Sequence, residues 1–172
     1  NDNSGYSVSL SSDGSRVAIG ASGNDGNRTL SGHVRIYDYN GSAWVQVGDD
    51  IDGEAPNNYS GWSVSLSPDG SRVAIGAYGN DGAQYSNKTD SGHVRIYEYS
   101  SGSWNQLGDD IDGEAANDYS GYSVSLSSDG SRVAIGASGN DANGTNSGHV
   151  RVYQYSSGVT WNQVGDDIDG EA

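Results

Sequence analysis

The chain of 172 residues contains no cysteine, phenylalanine or methionine and only two prolines. Without cysteine it can form neither a disulfide bond nor a thiolate zinc site, and the redox compartment stays open. No apolar run approaches the roughly 20 residues that span a bilayer. No signal peptide precedes Asn1, so we expect a mature chain or a segment of one, without membrane insertion.

Positive charge is also scarce. Eight lysines and arginines stand against 23 aspartates and glutamates, which gives a formal net charge of -15 at pH 7. The basic residues are mostly single arginines spaced along the chain, so they form no cationic patch that could bind phosphate groups. We therefore expect neither nucleic acid nor an anionic membrane surface as a partner.

Glycine is abundant, and serine, asparagine and aspartate separate short apolar alternations, which argues against long helices. Three near-copies follow one another: residues 1–56 (repeat 1), 57–116 (repeat 2) and 117–172 (repeat 3). The unchanged segments are "GSRVAIGA", which starts at Gly14, Gly70 and Gly130, and "GDDIDGEA", which starts at Gly48, Gly108 and Gly165. Length changes fall only before each Asn-x-Thr and before Trp44, Trp104 and Trp161. Both places are predicted loops, because an insertion within a strand would reverse the facing of later side chains.

Period-two alternation predicts four strands in each repeat, which in repeat 1 read "YSVSLS", "RVAIGA", "HVRIYDY" and "AWVQVG". The Asp-Gly between the first two indicates a hairpin. Four strands form a sheet too small to be stable alone, so the repeats must stack face to face, as β-propeller blades do. The predicted fold class is all-β, with three tandem four-stranded antiparallel blades.

The segment "YSGWSVSLSPDGSRVAIGA", which starts at Tyr59, and the following "GHVRIYEY" and "SWNQLG" resemble the FG-GAP repeat of β-propellers, including those of integrin α subunits. "SGYSV" or "SGWSV" stands at the Phe-Gly element of that family, and "IGA" stands at its Gly-Ala-Pro element. Propellers typically have about four to eight blades. The three repeats would therefore belong to a ring closed by further blades or chains, or to an open superhelical array.

Asn-x-Thr keeps a constant offset from Ser-Gly-His-Val-Arg in every repeat, which makes Asn27, Asn87 and Asn143 candidate N-glycosylation acceptors. Such acceptors function on exposed loops in a secretory pathway, so they predict an extracellular glycoprotein. Asn40 and Asn58 are weaker candidates because they are not repeated. The alternatives are chance, or turns that use the asparagine and threonine side chains.

An acidic segment closes each repeat and makes calcium a candidate ligand, since it combines hard oxygen donors with a glycine turn. The candidate ligands are Asp50, Asp52, Glu54, Asp110, Asp112, Glu114, Asp167, Asp169 and Glu171. The alternative is a solvated connection with Asx turns. The family resemblance implies calcium elsewhere, in the turn between the first two strands, where this chain has only the single acids Asp13, Asp69 and Asp129.

One histidine begins the third strand of each repeat: His33, His93 and His149. A scaffold usually carries one catalytic site, and no serine, histidine and aspartate set is unique to one repeat. The sequence therefore predicts no enzyme and no required cofactor. The residues that depart from the repeat, where a private site would be sought, are Tyr78, Tyr85, Lys88 and Asp90.

These patterns predict a non-enzymatic extracellular structural protein, a glycosylated building unit of a surface or matrix assembly or filament. Its partners would be further copies of the repeat or of the chain. The alternative, which the family resemblance implies, is a closed propeller that binds a protein or carbohydrate through its loops, with or without calcium.

Overall fold

The computed structural model describes residues 2–82, 88–156 and 158–171. Each repeat contributes five strands. Repeat 1 has β1 (Ser7–Leu10), β2 (Arg16–Ala21), β3 (His33–Tyr39), β4 (Trp44–Gln46) and β5 (Ile51–Asp52). Repeat 2 has β6 (Ser63–Leu66), β7 (Arg72–Ala77), β8 (His93–Ser100), β9 (Ser103–Gln106) and β10 (Ile111–Asp112). Repeat 3 has β11 (Ser120–Leu126), β12 (Arg132–Ala137), β13 (His149–Ser156), β14 (Thr160–Gln163) and β15 (Ile168–Asp169).

Each repeat folds into its own antiparallel sheet, in which the first four strands follow one another as a meander. The predicted all-β fold with tandem four-stranded sheets is confirmed. The fifth strand was not predicted: its two residues pair with the start of the third strand, in the register His33↔Asp52 and Val34↔Ile51. Two residues are too few to show an alternation, so this part of the acidic segment looked like a connection.

The hairpin between β1 and β2 is held by the side chain of Asp13. Its carboxylate accepts hydrogen bonds from Ser11 Oγ at 2.7 Å and from the Ser15 backbone N–H at 2.9 Å. These bonds lower the pKa of Asp13 to about 2. Gly14 follows with a φ of 71°, a left-handed conformation that glycine adopts without strain. Asp69 and Asp129 repeat this bonding in the other two hairpins.

The core lies between the sheets, because each sheet is too thin to bury a face alone. At the first junction the cluster contains Ala18, Val34, Ile36 and Ile51 of repeat 1 with Leu66, Val73, Ile75 and Tyr97 of repeat 2. At the second it contains Ala74, Val94, Ile96 and Ile111 of repeat 2 with Val133, Ile135 and Tyr153 of repeat 3. The alternation places Val94 and Ile96 in one cluster and Tyr97 in the other, so both faces of the middle sheet are covered.

Glycine allows the sheets to approach closely at the junctions. A Cβ on Gly20 would lie 2.1 Å from the carbonyl oxygen of Gly61 in the next repeat. That oxygen instead accepts a hydrogen bond from Ser7 Oγ at 2.8 Å. Gly76, Gly121 and Ser63 reproduce the arrangement at the second junction. Among the described residues, no helix has the length and apolar character needed to cross a membrane.

Candidate functional site at the repeat junctions

A buried arginine binds the acidic segment of the preceding repeat. Arg95 donates from Nη2 to the Asp52 carbonyl oxygen at 2.8 Å, and its Nη1 lies 3.3 Å from Glu54 Oε1. Arg151 contacts the Asp112 carbonyl oxygen at 3.0 Å and Glu114 at 3.1 Å in the same way. The predicted calcium segment therefore serves as a docking element for the next repeat.

Arg35, the counterpart in repeat 1, has a different partner. Its Nε and Nη2 donate to the two oxygens of Asp50 at 2.9 and 2.8 Å. This pairing is the largest cause that lowers the pKa of Asp50. The Arg35 side chain is 41% exposed, whereas that of Arg95 is 5% exposed. The same residue thus turns onto its own repeat where no preceding sheet faces it.

Two further contacts recur at both junctions. The indole Nε1 of Trp104 donates to the Val47 carbonyl oxygen at 2.9 Å, and Trp161 donates to the Leu107 carbonyl oxygen at 2.7 Å. The Arg16 guanidinium lies 5.0 Å from the ring centroid of Tyr99, a cation–π distance. The constant position of the tyrosines and tryptophans in each repeat indicates packing between repeats, whereas the junction role of Arg16 follows only from the structure.

In repeats 1 and 2, the segment after the Asn-x-Thr asparagine pairs with the beginning of the next repeat. The backbone N–H of Asn57 donates to the Thr29 carbonyl oxygen at 2.9 Å, and that of Ser60 donates to the Ser31 carbonyl oxygen at 2.9 Å. Thr89 and Ser91 accept the equivalent bonds from Asn117 and Ser120. These bonds give a structural reason for the constant offset, whether or not a glycan is attached.

The candidate glycan acceptors differ in exposure. Asn27 and Asn143 are exposed, and their amides donate to the carbonyl oxygens of Gly53 at 3.5 Å and Gly170 at 2.9 Å. Asn40 is exposed and its side chain caps a turn. Asn58 is buried, which makes it a poor acceptor. Asn87 lies outside the described residues, and glycosylation remains a prediction.

The three acids of each repeat do not converge on one point. Groups of three donors within 4.8 Å of one another each include a histidine: His33 with Asp50 and Asp52, Glu54 with His93 and Asp110, and Glu114 with His149 and Asp167. Calcium prefers an all-oxygen shell of six to eight ligands, which these groups do not fit. In each group an arginine already contacts a carboxylate. Calcium binding remains a prediction that this geometry does not support.

His93 lies at the second donor group and is almost completely buried. Desolvation, assisted by the nearby Arg95 charge, lowers its pKa to about 3, so the imidazole is neutral at physiological pH. Its Nε2 has no hydrogen-bond partner, and its Nδ1 lies 3.5 Å from Asp110 Oδ2. A neutral ring enclosed between two sheets acts as a packing element at the junction.

A row of aromatic rings runs across the three repeats. The ring centroids of Tyr6 and Trp62 are 4.4 Å apart, and those of Trp62 and Tyr122 are 5.5 Å apart. Tyr78, which departs from the repeat, joins this row at 4.4 Å from Trp62. Trp62, Tyr78 and Tyr122 line a cavity of about 500 Å³, and Asp90 lines it too. Tyr85 lies outside the described residues.

Solved structures share this fold at low sequence identity. A Bacteroides uniformis protein described as a "putative 6-phosphogluconolactonase" superposes with a TM-score of 0.58 at 16% identity, over 95% of this chain and 40% of its own. Saccharomyces cerevisiae Sqt1 superposes with a TM-score of 0.57 at 13% identity, over 100% of this chain and 36% of its own. The chain spans well under half of either protein, and the likeness concerns the fold alone.

No curated protein shows significant sequence similarity to the chain. A family model does match. The FG-GAP repeat is found at residues 51–97 and 111–153, which together make up more than half of the chain. Both matched stretches begin in the acidic segment of one repeat and end in the third strand of the next, so each spans the boundary between two repeats. The chain therefore belongs to the FG-GAP repeat family.

Proposed function

We propose that the chain is a non-enzymatic, extracellular and N-glycosylated building unit of a surface or matrix assembly. One observation carries this proposal: at both junctions, polar and aromatic residues that recur in the repeats bind the neighbouring repeat. Arg95 binds Glu54, Trp104 binds Val47, and Arg16 lies over Tyr99. Their chemistry is used in holding sheets together, so the repeat itself is the functional element.

The distribution of titratable groups supports a role without catalysis. A general base must reach a substrate and carry a pKa near the operating pH. His93 is buried and its pKa is shifted far below neutrality. The carboxylates nearest to the described histidines also bond to arginines or glutamines. We therefore assign these groups to the junctions rather than to a reaction.

The surface agrees with an extracellular assembly. Asn27 and Asn143 occupy equivalent exposed positions in repeats 1 and 3, so glycans there would recur with the repeat. Together with a net charge of -15, such glycans would keep the outside hydrated and oppose lateral association of sheet edges.

Glycopeptide mass spectrometry of the protein from its native source tests this proposal. We expect occupancy at Asn27, Asn87 and Asn143, with Asn58 unmodified because it is buried. Asn58 therefore serves as an internal control within the same molecule. Unmodified asparagines at all three repeated positions would contradict the glycosylated extracellular unit.

The aromatic cavity favours a second candidate function, carbohydrate binding by the loops. It is lined by Asn57, Tyr59, Trp62, Tyr78, Asp90, Tyr119 and Tyr122, which offer ring faces together with amide and carboxylate groups. Tyr78 makes this cavity specific to repeat 2, because repeats 1 and 3 have Ser22 and Ser138 there. Burial raises the pKa of the Tyr78 hydroxyl, so it stays a neutral hydrogen-bonding group.

Replacing Tyr78 by serine, the residue of the other repeats, tests this second candidate on a glycan array. Loss of one stacking ring should weaken a bound sugar roughly fivefold, since aromatic contacts contribute about 1 kcal/mol. Tyr39→Ser, at the end of β3 in repeat 1 and outside the lining of this cavity, is the matched control. Equal binding by all three proteins, or none, would dismiss the carbohydrate site.

A further inference from the structure

Among the described residues, the first and last sheets each have an apolar face that no other sheet covers. The leading face belongs to repeat 1 and consists of Val8, Leu10, Val17, Ile19, Tyr37 and Trp44. The trailing face belongs to repeat 3 and consists of Ala134, Val150, Val152 and Ile168. Both faces lie on regular strands, so their shape is defined before anything binds.

Both faces expose side chains whose counterparts elsewhere in the chain are buried. On the leading face Leu10 is 59% exposed, whereas Leu66 in repeat 2 is 6% exposed. On the trailing face Ile168 is 61% exposed, whereas Ile51 in repeat 1 is 6% exposed. At roughly 25 cal/mol per Å² of apolar surface, covering such groups is a substantial driving force.

The two internal junctions show what covers these faces. At the first junction the counterparts of the trailing face, among them Val34 and Ile51, pack against the counterparts of the leading face, among them Leu66 and Ile75. The second junction repeats this packing between sheets 2 and 3. The trailing and leading faces are therefore the two unmatched halves of a junction that the chain already builds twice.

Polar groups at the two faces complete the match. The leading side offers the donors Arg35 and Trp44, and the trailing side offers as acceptors the carbonyl oxygens of Val164 and Asp169 and the carboxylate of Glu171. Inside the chain, the counterparts of these groups form the Arg95 and Trp104 bonds to the preceding repeat. To make the same contacts, Arg35 must break its partly exposed ion pair with Asp50.

We propose that the trailing face of one molecule binds the leading face of a second copy of this chain, forming a junction equivalent to the internal ones. The proposal rests on the proposed function as a building unit, and it names the partner. The contact is head-to-tail, so each copy keeps one free face, and assembly continues until the array closes as a ring or extends as a filament.

Charged substitutions on either face test the proposal. Val8→Asp disables the leading face and Ile168→Asp disables the trailing face. Val159→Asp is the matched control for Val8→Asp, because both valines are 64% exposed and Val159 lies in the loop before β14, outside both faces. Circular dichroism should show all three folded, since each site is exposed in the single chain.

Sedimentation velocity over a concentration series provides the readout. We expect the unmodified chain and Val159→Asp to gain mass with concentration. Val8→Asp and Ile168→Asp should each stay monomeric, with dissociation constants raised about a hundredfold or more because an unpaired charge would be buried. An unmodified chain that is monomeric throughout would overturn the proposal.

Mixing the two face variants distinguishes head-to-tail from symmetric association. Val8→Asp keeps an intact trailing face and Ile168→Asp keeps an intact leading face, so the mixture should form a 1:1 dimer and nothing larger. Association blocked by only one of the variants would indicate a face that binds itself, which overturns the proposal. Glycan occupancy is measured separately, so a glycosylated but monomeric chain would refute the docking alone.

Discussion

The indole Nε1 of Trp104 donates a hydrogen bond of 2.9 Å to the carbonyl oxygen of Val47 in the preceding repeat. This bond joins two sheets through one side chain and one backbone group, and Trp161 repeats it with Leu107 at 2.7 Å. Trp44 occupies the same position in repeat 1, where it is part of the open leading face and is about half exposed. The three tryptophans therefore permit the junction to be tested within one chain.

Replacing Trp104 by phenylalanine keeps a large ring but removes the donor. We expect the free energy of unfolding to fall by about 1–3 kcal/mol, because the Val47 carbonyl loses its partner in a partly buried site. Urea unfolding followed by circular dichroism measures this loss. Trp44→Phe is the control and should change stability by less than about 0.5 kcal/mol, as exposed substitutions usually do. Equal losses would show that the indole bond does not stabilise the junction.

Arg95→Ala removes the guanidinium that binds the Asp52 carbonyl and Glu54. The expected loss in the free energy of unfolding is about 1.5–3 kcal/mol, typical of hydrogen bonds that involve a charged group. Arg35→Ala removes an ion pair that is shorter, at 2.8 Å against 3.3 Å for Arg95 and Glu54, but lies on the surface, and should cost less than about 1 kcal/mol. Chemical denaturation of both variants checks the ranking. The reverse ranking would mean that the junction arginines do not hold the repeats together.

Gly76→Ala should be strongly destabilising, because the new Cβ would lie 2.1 Å from the Gly121 carbonyl oxygen in the next repeat. Overpacking of this kind costs about 1–3 kcal/mol or more. Gly136 is the counterpart in repeat 3, where the three atoms nearest to an added Cβ all belong to Ser123, the closest being its Oγ at 2.4 Å. A Cβ on Gly76 would also meet a serine Oγ, that of Ser63 at 2.3 Å. The difference in stability between the two alanine variants therefore isolates the contribution of the contact with the next repeat. The melting temperatures of the two variants measure this difference. If both substitutions lowered the melting temperature equally, the close approach of the sheets would be contradicted.

Stability should depend on pH through His93. Burial lowers the pKa of His93 to about 3 in the folded protein, against about 6.5 in the unfolded chain. The unfolded state therefore binds a proton below about pH 6.5 that the folded state does not accept until about pH 3. The free energy of unfolding should fall as the pH is lowered through this window, by at most about 1.4 kcal/mol per unit.

The variant His93→Gln lacks this group and should show a flatter profile. Urea unfolding between pH 7 and about pH 4.5 gives the free energy of unfolding of both proteins. This range lies above the pH at which most carboxylates titrate, so their contribution to the difference is small. The difference in unfolding free energy between the two proteins should grow as the pH falls. Parallel profiles would show that His93 is not the buried neutral group of the structure.

Much of the fold was predictable because its signals are local. Alternation in "RVAIGA" placed the second strand, and Asp13 with Gly14 marked the hairpin that the structure contains. The facing of Val94 and Ile96 opposite to Tyr97 also followed from the two-residue period. The fifth strand, Ile51–Asp52, escaped prediction because its pairing with His33 and Val34 is visible only in three dimensions.

The candidate site was predicted less well. The acidic segment was selected for its oxygen donors, yet the partner of Glu54 is an arginine 41 residues further along the chain. Asn58 satisfied an acceptor pattern but is buried. The sequence pattern could not show this, because burial depends on how the surrounding loops pack. The constant offset of Asn-x-Thr suggested glycans, and the structure adds backbone hydrogen bonds that the carbonyl oxygens of Thr29 and Ser31 accept from the following repeat.

The sequence by itself determined the repeat, the strands, their turns and the side chains on each face, because these depend on spacing within a few residues. Only the tertiary structure decided the partners of identical segments. Arg95 binds the preceding repeat and Arg35 binds its own, and Leu66 is buried while Leu10 is open. The physical reason is that the same residues acquire different contacts according to which sheet lies in front of them.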